Sequence, residues 1–112
     1  MTANRRRGEI SASFDGKPYR LCLTLGALAE LEDAFAAEDL GALVARFGSG
    51  RISASDIIRI LAAGLRGAGN PVSDDEVKAM RCDDGAAGFA RVVAELLTAT
   101  FGTAKEGPRQ DP

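Results

Sequence analysis

The chain has 112 residues, 46% of them hydrophobic, with a formal net charge of −2. That length fits one domain with a sizeable core and no need of metal or disulfide staples. The acidic balance, with a pI near 5.1, speaks against a general nucleic-acid binder, whose domain pI would exceed about 9.

Residues 1–8 are polar and basic, and the expectation there is disorder; the polar stretch 103–112 reads the same way. Between them the pattern predicts a single domain over 9–102. Glu9 to Leu23 reads as a β-hairpin. Ile10, Ala12 and Phe14 alternate with Glu9, Ser11 and Ser13, and Tyr19, Leu21 and Leu23 alternate with Arg20 and Cys22. Asp15-Gly16 between the runs is a strong two-residue turn signal. Such a loop pairs Phe14 with Lys17, Ala12 with Tyr19 and Ile10 with Leu21, which puts both apolar sets on one face. A lone hairpin is marginal in water, so this one is expected to pack on helices.

Thr24 offers an N-cap for a first helix over about 25–37, with Leu25, Leu28, Leu31 and Phe35 at helical spacing. Asp39 can cap a short second helix, 39–47, carrying Leu40, Leu43, Val44 and Phe47 before Gly48-Ser49-Gly50. Ser53 and Asp56 form a variant capping box for a third helix, 54–66, with a stripe of Ile57, Ile58, Leu61 and Leu65 widened by Ile60. Ser73 and Glu76 make a standard box for a fourth, 74–80. The fifth, 86–101, has the cleanest amphipathic pattern: Phe89, Val92, Val93, Leu96, Leu97 and Phe101. The fold class is therefore α+β, mainly α: a two-stranded hairpin packed on about five helices.

The sequence contains no histidine and no tryptophan. Without histidine there is no Ser-His-Asp triad, no imidazole base and no histidine metal ligand. Cys22 and Cys82 are too far apart for zinc spacing and read as reduced thiols of a bacterial cytoplasm. Cys22 lies on the hairpin face opposite the apolar one, with Arg20 its cationic neighbour, an arrangement that does not make a catalytic thiol. No apolar run approaches the ~18 residues of a membrane span. Arg5-Arg6-Arg7 precede a polar, β-like stretch rather than a signal-peptide core, and they read as a solvated tail.

Other candidate sites have ordinary explanations. The glycines of Gly64-Leu65-Arg66-Gly67-Ala68-Gly69 end a helix, whereas a phosphate cradle opens one. Asp74-Asp75-Glu76 and Asp83-Asp84 fit capping and solvation better than a cation site, since adjacent carboxylates on a helix do not converge on one ion. Glu30, Glu32, Asp33, Glu38 and Asp39 read as a solvated face or as a surface steering a basic partner. Arg59 and Arg66 lie seven apart on one face, as a solvated pair or a patch for an acidic partner.

Three segments taken in order carry a resemblance. LTLGALAELEDAF (Leu23 to Phe35), GRISASDIIRILAAGLRGAG (Gly50 to Gly69) and the terminal AELLTATFG resemble the tail-assembly family of gene transfer agents and tailed phages. The resemblance spans about residues 5–102. Members of that family are described as tail-assembly chaperones, and the family has also been labelled a tail tube protein. The resemblance implies a protein encoded among tail genes, and it brings no catalytic residues.

A protein that holds an aggregation-prone partner needs an exposed apolar strip or an open sheet edge. Two regions qualify: the hairpin, with Ile10 and Tyr19, and the groove beside Leu40, Leu43, Val44 and Phe47. Arg59 and Arg66 complete the set of partner-binding candidates. The expected function is tail-assembly assistance through contact with a tape measure or tail tube protein. No enzyme activity, cofactor, metal, nucleic acid or membrane is expected, and self-association is left open without assigned residues. A structural tail tube subunit and a small nucleic-acid-binding regulator are the alternatives.

Overall fold

The computed structural model describes Asn4 and residues 7–49 and 51–102. The expectations for 1–8 and 103–112 therefore fall largely outside the described residues. Within the first group, the main-chain N–H groups of Arg7 and Glu9 both donate to the Asn4 carbonyl.

The hairpin comprises β1 (Glu9–Phe14) and β2 (Lys17–Cys22), paired antiparallel with Ile10 opposite Leu21, Ala12 opposite Tyr19 and Phe14 opposite Lys17. Asp15 and Gly16 take φ of 55° and 77°, the two left-handed positions of a type I′ turn, whose twist suits a tight hairpin. The register follows from turn chemistry and the buried apolar face together.

The helices are α1 (Leu25–Ala34), α2 (Leu40–Gly48), α3 (Ala54–Gly67), α4 (Asp74–Lys78) and α5 (Gly85–Phe101). Thr24 and Asp39 accept the amides of Ala27 and Ala42 as N-caps, and both predicted capping boxes are formed. Helix α1 ends three residues earlier than the periodicity suggests. Ala36 adopts φ +54°, and Ala36 N–H and Ala37 N–H donate back to Asp33 and Glu32 carbonyls. That is a Schellman closure, which periodicity cannot reveal. Helix α4 likewise stops at Lys78, short of Met80.

Helix α3 is the central element; β2, α1, α4 and α5 all pack on it. Its second half is buried on nearly every side: Ile60, Leu61, Ala62, Ala63, Gly64 and Leu65 are all in the core. This corrects the expected stripe. Ile57 and Ile58 are only half-buried, because the neighbours enclosing the later turns do not enclose the first. The rest of the core includes Ile10, Phe14, Leu21, Leu31, Leu43, Val93 and Leu96. Phe14 stacks on Phe89 with ring centroids 5.6 Å apart, tying the hairpin to α5. Burying side chains of this size contributes roughly 1.5–3 kcal/mol each before entropy is counted. Among the described residues, no helix is long and apolar enough to cross a membrane.

Candidate polypeptide-binding surfaces

The hairpin has two edges, and they differ. A two-residue turn makes Phe14 and Lys17 the closing hydrogen-bonded pair. Alternation along the ladder then aims the N–H and C=O groups of Glu9, Ser11 and Ser13 outward from β1, and those of Pro18, Arg20 and Cys22 outward from β2. The β2 edge is closed. Pro18 has no N–H to offer, Asn70 Nδ2 donates to the Arg20 carbonyl at 2.9 Å, and the Gly67 backbone lies against the Cys22 carbonyl. The β1 edge is closed at one end, where Glu9 N–H donates to Asn4 at 3.0 Å. Beside the turn, Asp15 N–H donates to Arg81 at 2.9 Å. Between these, the outward main-chain groups of Ser11 and Ser13 have no hydrogen-bond partner among the described residues, and both residues are exposed.

This placement revises the candidate residues. Ile10 is 2% exposed and faces the core, so its side chain is no docking group; Tyr19 is half-buried beside Phe14, ring centroids 5.8 Å apart. What the hairpin leaves open among the described residues is its main chain at Ser11 and Ser13. The signal was present in the sequence: parity from Asp15-Gly16, with Pro18 on the opposite edge.

Helix α2 divides its apolar residues similarly. Leu43 turns inward and is fully buried, so it is corrected from a docking residue to an anchor of the helix; Phe47, 7% exposed, also anchors the helix and keeps one side on the groove that α2 forms with α5. Phe47 meets the Phe35 ring edge-on at 5.5 Å. Arg46 sits over Phe35 and reaches both Asp56 carboxylate oxygens at 3.2 and 3.3 Å. Leu40 and Val44 face outward, 39% and 44% exposed. Val44, Phe47 and Gly48 form one wall of a groove of about 160 Å³; Leu97 and Phe101 of α5 form the other. Both α5 residues belong to the amphipathic stripe of that helix and are half-buried, packed against the core on one side and lining the groove on the other.

A second apolar cleft, about 200 Å³, lies among α3, α4 and α5, with Ile57, Ile58, Met80 and Phe89 in its lining. Sequence reasoning placed no site there.

The two arginines do not form one patch. Arg66 is committed within the fold: it donates to Glu30 at 2.6 Å, to Asp74 at 3.3 Å and to the Val72 carbonyl at 2.9 Å. The Glu30 hydrogen bond foremost raises its pKa. Its five-donor fork suits three acceptors on separate elements. Arg59 is exposed beside Ser55, Asp74, Asp75 and Lys78.

The acidic residues are likewise distributed. Asp75 pairs with Lys78 and Asp84 with Arg91, while Glu76 and Asp39 cap helices. The Cys22 thiol is pushed above its ordinary range by burial and by Glu9, against the opposing pull of Arg7 and Arg20. A raised thiol pKa lowers the thiolate fraction and with it nucleophilicity.

Among the described residues, the fold and its surfaces define a small, mainly helical α+β domain with an open stretch of strand edge and apolar clefts between helices. The chain belongs to the family described as phage tail tube protein, GTA-gp10, whose model matches residues 7–103. No curated protein and no solved structure matches it.

Proposed function

We propose that this chain assists phage-type tail assembly in the bacterial cytoplasm by holding another polypeptide, a tape measure or tail tube protein, and that it carries out no bond chemistry of its own. Family membership supplies the tail context. The observation that carries the binding mode is the open stretch of β1, where Ser11 and Ser13 present paired main-chain donors and acceptors that an added strand would satisfy.

The test uses Ser13→Pro. The Ser13 N–H points away from β2, and Pro18 directly opposite already lacks an N–H. The substitution therefore removes one edge donor and keeps the β1–β2 ladder. Ser13→Pro is expected to melt within a few degrees of wild type and to capture neither tape measure nor tube protein from producing cells. Unchanged capture of both would remove the strand-addition reading. Substrate turnover by the purified protein would remove the non-enzymatic one.

A second reading is favoured by the family's description: a subunit retained in the tail tube. The two-stranded sheet among the described residues supports the chaperone reading instead, since tube proteins usually build long sheets that close into rings. Quantifying the chain in mature particles separates the two: absence fits a chaperone, many copies fit a tube subunit.

A further inference from the structure

The geometry points to a second copy of this chain as the occupant of the groove between α2 and α5, in an antiparallel pair about a twofold axis near Val44. Helix α2 has nine residues and a single charged one, Arg46, which is already committed to Asp56. Its inner face is used by Leu43 and Phe47. A helix apolar nearly all round normally has its faces covered, yet Leu40 and Val44 stand in solvent.

The exposed face is complementary to itself. Leu40 projects one turn before Val44. Gly48 lies one turn after it, at the open groove, where an added Cβ would meet nothing within 4 Å. Antiparallel pairing about Val44 brings Leu40 of each copy over Gly48 of the other, a large residue into a small one's space. The groove volume of about 160 Å³ suits one aliphatic side chain.

Charge runs the same way. Glu38 and Asp39 stand at the start of α2 and Arg51 just beyond its end. Neither Glu38 nor Arg51 has an ion pair among the described residues. The antiparallel arrangement sets each acidic end beside the other copy's Arg51 and opposes the two helix dipoles. A parallel arrangement would bring like charges together.

A helix of nine residues spans only about 13 Å. Even with the α5 wall the contact is smaller than the roughly 800 Å² per partner of a standard interface. The dimer is therefore weak, with a dissociation constant on the order of 10–100 μM.

Sedimentation equilibrium of the full chain from about 1 μM to about 1 mM tests this. A reversible monomer–dimer equilibrium is expected. Gly48→Leu plugs the hole at a position open in the monomer, so it keeps the helical circular dichroism and weakens the dimer at least tenfold. Leu40→Ala does the same by removing the knob. Arg51→Glu weakens association, and Glu38→Lys in the same chain restores it, with Asp39 kept because it caps α2. Wild type sedimenting as monomer throughout would overturn the proposal and leave the groove to a tail protein or to the chain's own last residues. A Gly48→Leu dimer as tight as wild type would overturn it equally. Strand capture at β1 uses a different surface, so failure with Ser13→Pro and failure here are read separately.

Discussion

The backbone of Gly67 lies directly against the carbonyl oxygen of Cys22, with no room for a side-chain carbon between them. That contact seats the last turn of α3 on β2 and helps close one edge of the hairpin, leaving β1 as the open edge. Gly64, one turn earlier, is also a close-approach position, but its added Cβ would meet the end of the Leu96 side chain, Cδ2, at 2.7 Å. A leucine terminus can move; a strand carbonyl can move only with its strand. Gly67→Ala is therefore expected to cost about 3 kcal/mol, at the upper end of overpacking effects, and Gly64→Ala about 1 kcal/mol or less. Urea denaturation of both variants checks the order, and equal losses would contradict it.

Much of this fold was legible because its signals are local. Asp15-Gly16 sets the hairpin register, and Ser53/Asp56 and Ser73/Glu76 mark two helix starts within a single turn of chain. What escaped was set by distant partners. On α2, an almost wholly apolar sequence cannot show that Leu43 and Phe47 turn inward while Leu40 and Val44 do not. Arg66 reads as a surface charge until Glu30, 36 residues away, is found bonded to it. The glycines after Ala63 read as one helix stop, yet only Gly69 has a left-handed φ, +99°, while Gly64 and Gly67 give way to neighbours.

The Arg46–Asp56 pair fastens α2 to the start of α3. Asp56 is 7% exposed; it accepts the Ser53 amide at 3.1 Å and both contacts from Arg46. Asp56→Ala removes the return half of the capping box and the guanidinium's partner together. A loss of about 2 kcal/mol is expected. Arg46→Ala is expected to cost about 1 kcal/mol, because the Arg46 side chain is 45% exposed and water screens the pair. A double-mutant cycle by thermal denaturation measures the coupling, and an Asp56→Ala protein as stable as wild type would contradict this account.

The half-buried, Glu9-facing thiol of Cys22 has a definite pH signature. Its folded pKa lies above the ordinary thiol value. The stability it contributes is complete below the unfolded thiol pKa and is lost as pH rises through the folded one. Wild type is therefore expected to lose stability relative to Cys22→Ser across that alkaline window, with the difference constant at neutral pH. Alkylation of native Cys22 by iodoacetamide is expected to inflect at higher pH than in the urea-unfolded chain. An inflection at or below the unfolded value would refute the burial argument.

Helices α1 and α3 end in the same closure with different residues in its left-handed position. After α3 the residue is Gly69, with Gly69 and Asn70 donating back to Arg66 and Leu65. After α1 it is Ala36, at φ +54°, with Ala36 and Ala37 donating back to Asp33 and Glu32. A left-handed L-residue costs roughly 1–2 kcal/mol relative to its ordinary backbone, whereas glycine takes that conformation freely. Glycine also gives the unfolded chain more freedom, which offsets about 0.4–1 kcal/mol of the gain. Ala36 is exposed, so its methyl contributes little packing. Ala36→Gly is therefore expected to stabilise the protein by about 0.5–1 kcal/mol, and Gly69→Ala to destabilise it by about 1 kcal/mol. Chemical denaturation of the two variants checks the pair of signs, and a destabilised Ala36→Gly would mean that the backbone after α1 is not held left-handed in solution.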